Sequence, residues 1–152
     1  PLIREFFGAL LLQSGRPLLL NPPGYEWRPP RHVVVAWQAR RESARALHDA
    51  MPFLRTAGSI DVVEVEERDD GSLQGADVAT HLARQGLKVN AVVLPQDDIS
   101  VASTLVRHAQ STGTELLVAG GYGHTRLREW VFGGVTRELV ASVGQVPILF
   151  SH

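Results

Sequence analysis

From His32 to the end of the chain, short apolar runs rich in β-branched residues alternate with segments of helical periodicity. Such alternation marks βαβ units, which build parallel sheets. The runs are HVVVAW (His32–Trp37), SIDVVEVEE (Ser59–Glu67), LKVNAVVLP (Leu87–Pro95), TELLVAG (Thr114–Gly120) and VPILF (Val146–Phe150). The first helix, 42–58, places Ala46, Leu47, Ala50 and Leu54 on one face, and its Pro52 is expected to kink or shorten it. A second helix, ADVATHLARQG, stops at Gly86. A third starts near Asp98 or Ser100 and stops at Gly113, and a fourth covers about 135–143. The first and fourth runs are almost continuously apolar, as strands covered on both faces must be. Right-handed crossovers then predict an open, doubly wound parallel α/β sheet. Ligands of such sheets sit at the carboxyl ends of the strands, where the strand order reverses.

Ahead of this alternation lies Asn21–Arg31, NPPGYEWRPPR, with four prolines and a glycine. It reads as a linker, because proline removes a donor and fixes φ. Residues 1–20 hold a helical piece and a short apolar run. They echo the end of the chain: Arg4-Glu5 and Pro17-Leu18-Leu19-Leu20 against Arg137-Glu138 and Pro147-Ile148-Leu149-Phe150. The expected organisation is therefore 1–20 as the last helix and strand of a preceding repeat, 21–31 as linker and 32–152 as the main domain. A chance match of two amphipathic helix–strand units is the competing account.

Composition excludes several function classes. The chain of 152 residues has a formal net charge of −1, so no global field favours nucleic acid or an anionic membrane. It has no cysteine, which removes disulfides and thiolate chemistry and suits a reducing compartment. The leucine runs are too short to span a bilayer, and PLIREFFGAL lacks the layout of a signal peptide. A cytoplasmic protein without membrane or nucleic-acid partners is expected.

The sharpest motif is VAGGYGHTRLREWVFGGVTREL, Val118–Leu139, which carries Gly120-x2-Gly123-x9-Gly133 followed by Gly134, Val135 and Thr136. Glycines let a backbone approach a phosphate, and a helix N-terminus offers unpaired N–H groups and a positive dipole end. Turn closure alone would also explain these glycines.

With its apolar strand before and VPILF strand after, this spacing resembles the universal stress protein family. The resemblance covers about Arg31–His152, including VAWQARRESARAL after the first strand, and the GGYGHTRLRE…GGVTRE combination is similar to bacterial tandem members. It implies a five-stranded parallel sheet of order 3-2-1-4-5, adenine nucleotide alpha hydrolase-like, with domains pairing through the last strand. It also implies an adenine-nucleotide site, for ATP with Mg, at Ala36 and Gln38 after the first strand and Val65 in the second. The rest of that site is Ala119, Gly120 and Gly123 after the fourth strand and Gly133, Gly134, Val135 and Thr136 at the last helix. Two positions depart from the ATP-binding pattern: Gln38 stands where an Asp is usual, and Gly134 where Ser or Thr is usual. Each lost hydrogen bond to a charged group is worth about 1.5–3 kcal/mol, so weak binding is expected.

Other candidates carry less. The six histidines show no metal-ligand spacing. His124, beside Arg126 in the glycine turn, could meet phosphates or be solvated. Trp37 could stack on a base or cap the sheet. The acids Glu64, Glu66, Glu67, Asp69 and Asp70 read as a solvated edge. No Ser/His/Asp set, P-loop or metal carboxylate is readable, so an enzyme is not expected, with a slow ATPase left open. The readings that stand are a nucleotide-binding regulatory module and a non-nucleotide dimerisation or interaction module. An apolar, weakly charged last strand at the sheet edge predicts a cover: Pro17–Leu20 pairing against such a strand, in this chain or a neighbour, and a homodimer or a sister domain as partner.

Overall fold

The computed structural model describes residues 2–66, 74–122 and 134–152. In chain order the elements are α1 (Leu2–Gln13), β1 (Leu18–Leu20), β2 (His32–Ala36), α2 (Arg41–Leu54), β3 (Ser59–Glu66) and α3 (Gln74–Arg84). They are followed by β4 (Val89–Pro95), α4 (Val101–Ser111), β5 (Leu116–Gly120), α5 (Gly134–Ala141) and β6 (Ile148–Ser151). The sheet runs β1-β6-β5-β2-β3-β4. Strands β2 to β6 pair in parallel, so the five strands expected from sequence stand in the order 3-2-1-4-5. The sheet nevertheless has six strands, because β1 adds to β6 antiparallel.

Side chains alternate between the two faces of a strand, and the core follows that period. Val34, Val63, Leu117, Ala119, Ile148 and Phe150 point to the side covered by α1, α4 and α5, where they meet Phe7, Leu11, Leu105 and Leu139. Val33, Val35, Leu116, Val118 and Leu149 point to α2, where Ala46, Ala50 and Leu54 are buried. Val62 packs on Ala79 and Leu82 of α3. Helices therefore cover both faces, as the continuous apolar runs require.

Local chemistry sets the helix limits. Ser100 caps α4, its Oγ accepting from the Ser103 N–H at 3.1 Å. Pro52 lies in the last turn of α2, where it cannot donate to the His48 carbonyl, and the helix ends two residues later, at Leu54. Trp37 just beyond β2 donates its N–H to the Val63 carbonyl at 2.8 Å, and its ring packs on the Val62–Ala79–Leu82 cluster. Of its two readings, the ring takes the packing role.

The pairing of β1 carries a symmetry. Leu18 faces Phe150, Leu19 faces Leu149 and Leu20 faces Ile148. The echoed tripeptides thus pair about a local twofold axis through Leu19 and Leu149, the self-complementary register of a twofold interface. One expectation changes as a result: β6 is not the sheet edge. The chain covers it with its own β1, and the open edge passes to β1.

Candidate functional site

The strand order reverses between β2 and β5. From β2 the chain moves outward to β3 and β4, then returns to the opposite side at β5. The carboxyl ends of β2 and β5 flank this switch point, and Ala36, Gln38, Ala119 and Gly120 lie there. Val35 and Val118 are Cα partners, so Ala36 and Ala119 close adjacent strands. Ala36 lies beside Val63, and Ala119, buried, beside Phe150. Val65 is farther out, paired with Leu94 on β4 and packed against the core of the α4 face.

Gln38 is exposed. Its N–H donates to the hydroxyl of Ser43, in the first turn of α2, at 3.3 Å. This bond holds the β2–α2 turn, much as the return arm of a capping box does. The Gln38 side chain is free to face solvent at the switch point.

Gly120 and Gly121 serve packing. A Cβ on Gly120 would lie 2.7 Å from the backbone carbon of Glu42 and 2.8 Å from the backbone nitrogen of Ser43. A Cβ on Gly121 would lie 2.5 Å from Leu11 Cδ2. Successive residues of an extended chain face opposite ways, so Gly120 admits the start of α2 on one side and Gly121 admits α1 on the other. Turn and close approach are both present, but the close approach is to helices.

The next residue holds the turn to α5. Tyr122 has φ 59°, a left-handed conformation that costs a residue with a Cβ about 1–2 kcal/mol. Its N–H donates to Thr136 Oγ1 at 3.2 Å. Thr136 is 5% exposed, and its hydroxyl accepts this bond. Burial pushes the Tyr122 phenol up to about 12. Gly134 opens α5, and a Cβ there would meet nothing within 4 Å, while Val135 beside it is exposed. The start of α5 thus has space for a side chain at its Cα position, whereas the end of β5 has none. Gly123, Gly133, His124 and Arg126 lie outside the described residues, as do Glu67, Asp69 and Asp70.

A hollow of about 960 Å³ lies elsewhere, lined by Glu66, Pro95, Asp97, Asp98, Ile99 and Arg107. It opens at the carboxyl ends of β3 and β4. Its three carboxylates oppose phosphate.

Sequence reasoning missed a polar cluster at the opposite, amino end of the sheet. Asp61 is buried on β3. Its Oδ2 accepts from His32 Nε2 at 3.0 Å and its Oδ1 from the Asn90 amide at 3.0 Å, while His108 Nε2 stands 3.6 Å from Oδ2. A carboxylate only accepts, so the His32 Nε2–H donates to it, and His32 Nδ1 lies 3.3 Å from the Thr114 hydroxyl. The signal available was an acid inside an apolar strand, SIDVV, which cannot be buried without partners. Among the described residues no group of His, Asp or Glu is arranged to hold a metal ion.

A second ionic contact lies nearer the switch point. Burial pushes the Asp49 carboxyl up, but hydrogen bonds from Ser151, His48 and Arg45 outweigh it and leave the group below its ordinary value. Ser151 ends β6, so Asp49 ties α2 to the last strand.

No protein-family model matches the sequence, and no curated protein matches it. Solved structures do match. A universal stress protein family member from Burkholderia pseudomallei superposes with a TM-score of 0.60 at 18% identity, over 82% of this chain and 98% of that one. A universal stress protein from Archaeoglobus fulgidus gives 0.63 at 14% identity, over 80% of this chain but 44% of that longer one. A universal stress protein in complex with cAMP gives 0.59 at 15% identity, over 82% and 99%. No helix among the described residues is long and apolar enough to cross a membrane. The parallel order of β2 to β6, the helices on both faces and these superpositions together give the chain the fold of the universal stress proteins.

Proposed function

We propose that the chain belongs to the universal stress protein family and is a cytoplasmic regulatory module of the stress response that catalyses no reaction. It binds an adenine nucleotide, ATP with Mg first among them, at the carboxyl ends of β2 and β5. The observation that supports this reading is the hydrogen bond from the Tyr122 N–H to Thr136, which ties the residues after β5 to the first turn of α5. The N-terminal amides of α5 would hold phosphate there. The cAMP complex of a protein with this fold supports an adenine nucleotide as the ligand class. Binding is weak for three reasons: Gln38 brings no charge, Gly134 brings no hydroxyl, and the Thr136 hydroxyl is already engaged.

Calorimetric titration with ATP and AMP, with and without magnesium, tests the reading. Binding in the high micromolar to millimolar range is expected, and Gln38→Asp with Gly134→Ser should tighten it. A Ser Cβ fits at Gly134, where the space is open. No heat up to millimolar nucleotide for either protein would favour a pure interaction module. The symmetric register of β1 on β6 favours that second reading. The same register supports residues 1–20 as the last helix and strand of a preceding repeat, 21–31 as its linker and 32–152 as the next domain. The Archaeoglobus chain, of which this one spans 44%, is consistent with such an arrangement.

A further inference from the structure

Helix α1 contributes more than cover for the core. It closes over the turn that the nucleotide reading depends on. Leu11 seats on the Gly121 position, with the gap left by the missing Cβ filled by its Cδ2. The Phe7 ring stands 6.3 Å from the Tyr122 ring and 5.4 Å, edge-on, from Phe150. Phe7 and Leu11 are both buried, whereas Phe6 on the same helix is 64% exposed.

Other elements close around the same residues. The Gly121 N–H donates to the Ser151 carbonyl at 2.8 Å, and the Gly121 carbonyl is 2.9 Å from His152 Nδ1. Thr136 holds the Tyr122 N–H. These contacts surround the left-handed backbone of Tyr122. Two of them, from Leu11 and Phe7, come from a segment joined to the main domain by the proline-rich linker and by a three-residue strand on β6.

We propose that α1–β1 is a strap that sets the conformation of the Gly120–Tyr122 turn, so that seating of the strap on β6 and occupation of the switch-point site reinforce each other. The second half of this proposal rests on the nucleotide reading above; the first half does not. The strap is an interaction element of a defined kind: an apolar helix followed by a short strand, docked antiparallel on the last strand of a domain. Coupling of this sort is reciprocal, because whatever the strap gives to ligand affinity, the ligand gives back to the seating of the strap.

Amide hydrogen exchange on the full chain, with and without 10 mM ATP, reads both halves. Leu11→Ala and Phe7→Ala should speed exchange at Gly121 and Tyr122 by at least tenfold, with Val34 on β2 unchanged. Phe6→Ala is the control and should change neither. ATP affinity should fall at least fivefold in Leu11→Ala, and ATP should slow exchange at Leu18–Leu20 in the unmodified chain by a similar factor. Unchanged exchange at Tyr122 in both variants would overturn the strap, whatever the nucleotide does. Bound ATP without any effect on Leu18–Leu20 would overturn the coupling. Absence of ATP binding to the unmodified chain would overturn the nucleotide reading and the coupling with it, and leave the strap to be decided by exchange at Tyr122. If Leu11→Ala also speeds exchange at Val34, the helix supports the whole core, and a specific strap is refuted.

Discussion

Gly120, Gly121 and Gly134 look alike in sequence, yet their surroundings differ. Gly120 and Gly121 are pressed by α2 and α1, and Gly134 faces open space. Gly120→Ala should therefore destabilise by about 1–3 kcal/mol, the range for overpacking against a backbone that cannot yield. Gly134→Ala, at the start of a helix with room for a Cβ, should be neutral or slightly stabilising. Chemical denaturation of the two variants checks this, and equal losses would mean that the local space is not what separates them. Tyr122 makes a different prediction. Its phenol ionises in the folded protein only near pH 12, against 10.0 in the unfolded chain. The stability this provides is fully present below pH 10 and is lost as pH rises from 10 toward 12, because the unfolded state releases its proton first. Tyr122→Phe should remove that loss, and melting curves across pH 9–12 will show a shallower decline if it does. These distinctions were not legible in the sequence. A glycine pattern does not say which of its positions are pressed by a helix and which stand open.

Elements were legible where their periodicity was strong. Every strand after the linker and every helix on the two faces lies close to its expected place, and Ser100 proved to be the cap of α4. Periodicity is a property of one segment, and it fails where two segments meet. The Asp61 cluster joins β2, β3, β4 and α4 through residues far apart in the chain. The tie between Asp49 and Ser151 likewise joins α2 to β6. That tie predicts an acid dependence. The Asp49 carboxyl sits below its ordinary 3.8 in the fold, so its contribution is present above that pH and lost as pH falls through the lower folded value. Asp49→Asn should cost about 1.5–3 kcal/mol at neutral pH, the worth of hydrogen bonds to a charged acceptor. The gap from the unmodified protein should narrow as pH falls below 3.8. Urea denaturation at pH 7 and pH 2.5 measures both values, and a gap that stays constant would assign the loss to packing rather than charge. The last strand also closes off one substitution. Ile148 is fully buried between α4, α5 and its neighbours, so Ile148→Lys would break the fold and says nothing about assembly.

At the scale of the molecule, the question is where the sheet ends. An apolar last strand predicted an open edge and a partner, and the chain supplies that partner itself as β1. The demand for a cover is displaced, not met. Strand β1 is half-buried and has β6 on one side, with no further strand beyond it among the described residues. Next to it α1 leaves Phe6, Leu10 and Leu12 exposed at 64%, 37% and 42%. Phe6 and Leu10, one turn apart on the same side of α1, form an exposed apolar strip of the kind that soluble domains cover, with Leu12 on the other side of the helix. Two copies meeting there would use the same patch twice, which closes as a twofold dimer without leaving a free end. The chain should therefore sediment as a dimer at micromolar concentration. Phe6→Glu with Leu10→Glu should yield a monomer with little change in melting temperature, since both side chains already face solvent in the single chain. Phe7 and Leu11, the buried residues of the same helix, should behave oppositely, with truncation lowering stability before it alters association. A monomeric unmodified chain across 1–100 μM would show that β1 and α1 satisfy the edge alone. A dimer that survives both charges would place the contact on another face of the molecule.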